Sequence, residues 1–516
     1  MTVTTAADRE AVRVEPADRF NEELVANVHP NDWVNPEPRD RYHLVVIGAG
    51  TGGLVTASIA AGLGARVALI ERHLMGGDCL NVGCVPSKGV IRAARSWHAA
   101  RESARSFGGP RVEGPGGGSF GDAMTRMRRL RAGISRVDGA RRFRDLGVDV
   151  FLAEGRFTGP NVVMVDGRSL RFRRAVIATG ARAAAPPIPG LDGVPYLTNE
   201  TIFTLTELPQ RLVVLGAGPI GCEMAQAFAR FGAEVTLVER GAHVLPREDA
   251  DAALIVERAM EAHGVRIVHE ATAVRAELRG TERVVHVERQ GRTEAIAGDE
   301  LLVAVGRAPN VEGLGLDAAG VAFDRHGVTV DDRLRTSNRR IFALGDVASK
   351  YQFTHAADAQ ARLVVANALF FGIGGGKTSR LVMPWATYTT PELAHVGMTG
   401  AAAVAAGHAV QTITVPMHDV DRAVLDGEDE GFLRVHLAEG SDRILGATLV
   451  AEHAGDLIGE MALAITARTG LGKIGSTIHP YPTQGEVFRK AADAWRRTKL
   501  TPTAKWAFRT FFRLVT

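Results

Sequence analysis

At 516 residues, with 46% apolar and 23% charged side chains, the chain is long enough for several domains and apolar enough to build real cores. Lys+Arg 61 against Asp+Glu 58 leaves a net charge of only +3, so the overall balance does not call for nucleic acid. No apolar run reaches the roughly 18 residues of a membrane span, and residues 1–10 carry acids where a signal peptide has its apolar segment, so the expected location is cytoplasmic.

Residues 1–41 read as an N-terminal extension. Phe20, Leu24, Val25 and Val28 suit one or two turns of amphipathic helix, Pro30, Pro36 and Pro38 forbid more, and Trp33 is placed to dock the segment on the body. From Tyr42 a buried strand, His43-Leu44-Val45-Val46-Ile47, leads into Gly48-Ala49-Gly50-Thr51-Gly52-Gly53, then a small-residue helix and a second strand ending at Glu71. This is a dinucleotide fingerprint in its required setting: glycines for the tight turn, a helix N-terminus for pyrophosphate, an acid for a ribose hydroxyl.

Next comes Gly76-Gly77-Asp78-Cys79-Leu80-Asn81-Val82-Gly83-Cys84-Val85-Pro86-Ser87-Lys88, which holds two of only three cysteines. A spacing of five in a regular helix does not meet the roughly 4.4–6.8 Å Cα separation of a disulfide, so pairing requires a distorted helix start. Gly83 and Asn81 make distortion cheap; the alternative is two small buried residues packing as hydrophobes. In a long chain without a signal segment, a close cysteine pair is redox-active rather than structural.

The glycine- and proline-rich stretch 108–118 reads as a mobile loop, and Asp122 to Arg144 as one helix, on the apolar period of Met124, Met127, Leu130, Ile134 and Val137. Its many arginines could attract an acidic partner, and the plainer reading is a solvated basic face. A hairpin turning at Asp166-Gly167 follows, and a strand returns to Ala178-Thr179-Gly180. The fingerprint then recurs as Gly216-Ala217-Gly218-Pro219-Ile220-Gly221, with a strand before it, a helix to Phe231, and a strand ending at Glu239. Eighteen positions separate the third glycine from the acid in both units. The economical reading is FAD on one unit, a nicotinamide on the other, and a dithiol between them.

With Cys79-x-x-x-x-Cys84, both fingerprints, Ala178-Thr179-Gly180, Gly306-Arg307-Ala308-Pro309-Asn310 and Leu344-Gly345-Asp346 in place, residues 42–495 resemble the class I pyridine nucleotide-disulfide oxidoreductases. That family includes dihydrolipoyl dehydrogenase, glutathione reductase and mercuric reductase, and the resemblance is to the mercuric reductase-like and dihydrolipoyl dehydrogenase-like branch. It implies an α/β fold: two Rossmann-like domains for FAD and NAD(P) and a C-terminal α+β dimerisation domain. The expected order is extension 1–41, FAD-binding 42–193, NAD(P)-binding 194–312, FAD-binding again 313–380, interface 381–495 and a basic amphipathic tail 496–516.

The resemblance also implies roles. Gly48, Gly50, Gly53, Glu71, Lys88, Thr179, Gly180, Gly306 and Asp346 serve FAD, and Gly216, Gly218, Gly221 and Glu239 serve the nicotinamide cofactor. NADH is preferred because Glu239 would repel a 2′-phosphate; Arg240 and Arg247 keep NADPH as the alternative. Cys84 is the thiolate beside the flavin, Cys79 the interchange thiol, and Lys88 pairs with Glu223 near the flavin. Cys222 is packing.

One departure matters. Where disulfide-reducing members carry His-Pro-Thr-x-x-Glu from the partner subunit, this chain reads Tyr481-Pro482-Thr483-Gln484-Gly485-Glu486. Tyr481 and Tyr196 match mercuric reductases, and His479 is the other candidate for proton transfer. A phenol is a poor base at neutral pH, so lipoamide turnover should be weak. Yet the chain has no cysteine after Cys222 and no N-terminal Cys-x-x-Cys segment to deliver a metal ion. No resident metal is expected; the acceptor is a disulfide, another small molecule or a soft metal ion, handled by a homodimer with shared active sites. Alternatives are a membrane-surface NADH diaphorase feeding a quinone or protein, and a dihydrolipoyl dehydrogenase with an altered acid-base residue. In the tail, Lys505, Arg509 and Arg513 make a basic stripe beside Trp506, Phe508, Phe511, Phe512, Leu514 and Val515, a pattern that suits either peripheral membrane contact or packing on the dimer.

Overall fold

The computed structural model describes residues 11–109, 118–370 and 372–515. The expected loop at 110–117 and the acids of residues 1–10 lie outside these. Two compact units emerge, one from residues up to 238 plus 270–381, the other from 239–269 plus 382 onward.

The first unit holds a parallel sheet in the order Val148–Leu152, Val67–Glu71, Tyr42–Ile47, Arg168–Ile177, with Ile341–Ala343 on the far side of Arg168–Ile177. Its register sets Val46 between Leu69 and Val176. Such strands are buried on both faces, which is why they read as continuous apolar runs. One face packs Leu44, Val46, Leu69 and Phe342 with Leu24, Val28 and Trp33 of the extension; the other packs Ile47, Ile70, Phe157 and Phe172. Arg168–Ile177 serves twice, because its opening residues also pair antiparallel with Val162–Val165 across the Asp166-Gly167 turn. The fingerprint helix Thr51–Gly62 links Tyr42–Ile47 to Val67–Glu71. A second parallel set, Glu234–Val238, Arg211–Leu215 and Glu300–Val303, carries the helix Pro219–Phe231.

The extension is a docked element. Helix Arg19–Val28 buries Leu24, Val25 and Val28, each worth about 1.5–3 kcal/mol relative to exposure. Trp33 is buried, and its Nε1 donates to the Val150 carbonyl at 3.2 Å.

The basic segment departs from the sequence reading twice. It is two helices, Phe120–Ser135 and Ala140–Asp145, interrupted where Gly139 is extended. Arg126, Arg129, Arg136, Arg141, Arg142 and Arg144 are exposed, as a solvated face requires, but two arginines are not. Arg128 and Arg131 are buried, and Arg128 Nε donates to Asp18 at 2.6 Å. Arg136 meets Glu23, and Arg141 meets Asp32 at 2.9 Å. Of the five apolar residues expected inward, Leu130, Ile134 and Val137 are exposed. The acids of the extension were too distant in sequence to enter a periodicity argument, and one of them, Asp18, receives the buried Arg128.

In the second unit, a five-stranded antiparallel sheet runs Pro384–Thr387, Glu392–Gly397, Ile444–Ala451, Phe432–Ala438, Val410–Pro416. Its core joins Leu433, Val435 and Leu449 to Met461, Val487 and Phe488 of the helices Gly459–Thr466 and Glu486–Thr498. A last helix, Pro502–Val515, has no buried residue.

A candidate dithiol site

The first fingerprint and the cysteine stretch are built against each other. Gly48 has φ +99°, and a Cβ there would lie 2.3 Å from the Ala178 carbonyl oxygen; at Gly53 it would lie 1.8 Å from that of Gly48. No side chain fits. Gly50 pairs with Gly76, and a Cβ on Gly77 would come within 2.6 Å of the Gly50 Cα, so the cysteine stretch starts in contact with the glycine turn.

The stretch then makes two helices, Gly77–Asn81 and Cys84–Phe107. The break at Val82-Gly83 supplies the distortion that cysteine pairing requires, and a Cβ at Gly83 would sit 2.7 Å from the Asp78 carbonyl oxygen. Asn81 pins the bend, its amide donating to the carbonyls of Met75 and Gly77 at 3.0 and 2.9 Å. Both cysteines are thiols, and Cys79 hydrogen-bonds Cys84.

That bond separates their acidities. It is the largest influence holding the Cys84 thiol down to about 6, helped by Thr354 and by the Lys88 ammonium, against the cost of burial. The same bond, then burial, pushes Cys79 upward. Thr354 Oγ1 lies 3.5 Å from the Cys84 sulfur. Cys84 is the first residue of a 24-residue helix, a position that favours an anion. Lys88, one turn on, donates to Glu223 at 2.8 Å, and Glu223 is buried in helix Pro219–Phe231. In that helix Cys222 is packed, its sulfur donating to the Ala217 carbonyl at 3.3 Å.

Other expected residues gather in the same unit. Thr179 Oγ1 donates to the Asn310 carbonyl at 2.8 Å and Asn310 Nδ2 to that of Thr179 at 2.9 Å, tying Ala178-Thr179-Gly180 to the Gly306–Asn310 motif. Gly306 has φ +142°. Arg307 bonds Asp78 and the Ala181 carbonyl, and its Nε lies 3.4 Å from Asp346, whose carboxyl is pushed up by burial. Glu71 accepts from the Ala49 and His73 amides at 2.7 and 2.9 Å, and burial pushes its carboxyl up. Tyr196 is half-buried just before Leu197, which pairs with Leu302.

At the second fingerprint Gly216 has φ +96°, and a Cβ on Gly221 would fall 1.9 Å from the Gly216 carbonyl oxygen, while Gly218 faces open space. Neither Gly50 nor Gly218 caps its helix with a side chain, so the first-turn amides stay available to phosphate oxygens. Both turns therefore fit a dinucleotide pyrophosphate.

The remaining candidates belong to the second unit. Buried Glu239 accepts from the Gly241 amide at 2.7 Å. Tyr481 is 69% exposed and donates to Asp421 at 2.9 Å, which raises its phenol further. His479 sits between the Glu460 carboxylate at 3.0 Å and the Thr477 carbonyl at 3.1 Å. Glu486 is buried beside Arg489, and its Oε2 makes no hydrogen bond among the described residues. No cluster of three or more His, Cys, Asp or Glu among the described residues is arranged to hold a metal ion.

Sequence reasoning missed Thr354 and Arg131. Arg131 donates to the Asn81 carbonyl, between the two cysteines, and to Asn21 of the extension, both at 2.6 Å. Neither residue carries a local pattern that would have singled it out. Arg307 and Asp78 lay inside quoted motifs without a role.

Comparison with known proteins agrees with this geometry. The family profile described as pyridine nucleotide-disulphide oxidoreductase matches residues 42–361, and that of its dimerisation domain residues 383–492. The chain is similar to a mercuric reductase of Bacillus cereus, 36% identical over 467 residues, covering 89% of this chain and 72% of that protein. It is also similar to a dihydrolipoyl dehydrogenase of Bacillus subtilis, 31% identical over 471 residues, covering 87% and 97%. Among solved structures it resembles the Cu(II) complex of the HOCl-induced flavoprotein disulfide reductase RclA from Escherichia coli, with TM-score 0.77, 29% identity, and 88% and 99% of the two chains covered.

Proposed function

The chain belongs to the pyridine nucleotide-disulphide oxidoreductases, whose members use FAD and NAD(P)H, and from that premise we propose that Cys79 and Cys84 carry its electrons to a soft metal ion or a disulfide. The observation that carries this reading is geometric: the break at Val82-Gly83 sets Cys79 beside Cys84 at the start of a long helix, with Lys88 one turn on and held by Glu223 at 2.8 Å.

Bound FAD would supply the two-electron exchange between nicotinamide and the dithiol. The glycine turn at 48–53, Glu71, Thr179, Gly180, Gly306 and Asp346 are the residues proposed to hold it, and Gly216, Gly218, Gly221 and Glu239 the nicotinamide cofactor. A buried Glu239 carboxylate supports NADH over NADPH, because it would accept from a ribose diol and repel a 2′-phosphate.

The chain's own chemistry then follows. Cys84 is ready as a thiolate at neutral pH, and the Lys88 ammonium, held by Glu223, stabilises it. Cys79 keeps its proton, so attack on an acceptor disulfide needs a base. At neutral pH Tyr481 is a protonated phenol that cannot take this proton, and both ring nitrogens of His479 face acceptors already, Glu460 and the Thr477 carbonyl. A soft cation removes that obstacle: bound by both sulfurs, it displaces the Cys79 proton itself. With a metal ion, the Cys84 thiolate and the Cys79 thiol become one Cys79–Cys84 disulfide, releasing one proton and passing two electrons, to one Hg(II) or in turn to two Cu(II). With a disulfide acceptor the two electrons, that proton and one more from water leave on the two product thiols. The RclA structure was solved as a Cu(II) complex, which supports metal-ion binding here. The matched dimerisation domain supports a homodimer, and Tyr481 and Glu486 are proposed to serve the partner's dithiol.

Steady-state turnover with NADH decides among acceptors: Hg(II), Cu(II), lipoamide, glutathione disulfide and a quinone, each with wild type and Cys79→Ser. The expected result is metal-ion reduction lost at least about 100-fold in Cys79→Ser, with lipoamide slow throughout. Fast quinone reduction untouched by Cys79→Ser, with no metal turnover, would instead establish a diaphorase.

A further inference from the structure

We propose that the helix Pro502–Val515 is a docking surface for anionic lipid bilayers. It spans 14 residues without burying one, and its large side chains face outward: Trp506 is 67% exposed, Phe511 55% and Leu514 80%. An ordinary surface helix keeps its apolar side inside; this one presents both sides.

The arrangement is ordered. At about 100° per residue, Lys505, Arg509 and Arg513 fall within an arc of roughly 80°, with Trp506 bordering it on one side and Phe512 on the other. Phe508, Phe511, Leu514 and Val515 fill the opposite side. Cations flanked by aromatics, over an apolar arc, match the boundary between headgroups and acyl chains, where aromatic rings and long basic side chains are each at their best depth. At about 1.5 Å per residue the helix is roughly 21 Å long, too short to span and suited to lie in the plane.

Charge selects the lipid over a second copy of the chain. After Asp493 the sequence carries Arg496, Arg497, Lys499, Lys505, Arg509 and Arg513 and not one acid. Two such helices facing each other would set like charges together, whereas an anionic leaflet answers all of them. The inference does not depend on which acceptor the dithiol serves.

The test is flotation of the full-length, FAD-loaded protein with phosphatidylcholine vesicles and with vesicles containing phosphatidylserine. Affinity should rise on the order of 100-fold with the anionic lipid at low ionic strength and fall in high salt. Arg509→Glu with Arg513→Glu should abolish the gain while NADH turnover in solution stays unchanged. A chain ended at Leu500 should behave as the double variant does. Equal partitioning on both vesicles, or binding that survives charge reversal, overturns the proposal. So does a truncated chain that loses its oligomer by light scattering while the full-length protein fails to float, because the helix then belongs between subunits.

Discussion

At Cys84 three neighbours act on one sulfur. Cys79 and Thr354 hydrogen-bond it and Lys88 adds charge, together outweighing burial and holding the thiol near 6. In the reduced protein, alkylation of Cys84 by iodoacetamide should therefore follow a midpoint near 6, and Thr354→Val should move it upward; a midpoint near 9 in wild type would contradict this. The same shift has a stability consequence. The folded state holds this proton less tightly than the unfolded chain, so the contribution is complete above about 9 and disappears as pH falls through about 6. Cys79, shifted the other way, keeps its proton across that window. Urea midpoints of the reduced protein against those of Cys84→Ser, between pH 5 and 9, measure the difference. For Lys88 and Glu223, removing the lysine strands a buried carboxylate; because Lys88 is about one-third exposed, Lys88→Gln should cost about 2–3 kcal/mol, less than a fully buried pair. Lys88→Gln combined with Glu223→Gln should recover part of that loss. The cysteines, Lys88 and Glu223 were legible because motifs place them. Thr354 was not, since its 270-residue separation from Cys84 leaves no local trace.

Among the elements, the extension and the arginine-rich helix form one assembly. Arg131 reaches from helix Phe120–Ser135 to Asn21 on one side and to the Asn81 carbonyl on the other, so the extension supports the bend that brings the cysteines together. Arg131→Met should lower the unfolding free energy by about 2–3 kcal/mol, through two lost charge-assisted bonds and two stranded polar groups. It should also speed amide exchange in residues 77–83, which a purely global loss would not single out. Unchanged local exchange would deny the link. Strands, fingerprint helices and the hairpin were readable because each is encoded by its own neighbours. The burial of Arg128 and Arg131 was not, because Asp18 and Asn21 reach them through tertiary folding, while Met124 and Met127 face inward as their period predicts. A basic face read from one helix alone looks solvated throughout; acidic partners in the extension make part of it an interface within the chain.

For the whole molecule, the repeat of a glycine turn with an acid eighteen positions on foretold two parallel sheets, and both are present. The domain with the antiparallel sheet was legible through its resemblance alone, since its alternation carries no nucleotide signature. The proposed acceptor rests on Tyr481 standing where the resemblance leads one to expect a histidine, with both ring nitrogens of His479 facing acceptors. In the proposed function, electrons leave through the Cys79–Cys84 pair. Anaerobic titration of the FAD-loaded protein with NADH, followed by absorbance and by thiol counting, tests it most directly. The prediction is a long-wavelength absorbance at two electrons per chain, two new reactive thiols in oxidised wild type, and neither in Cys84→Ser. Simple bleaching of the flavin at two electrons, with no thiols formed, would contradict it.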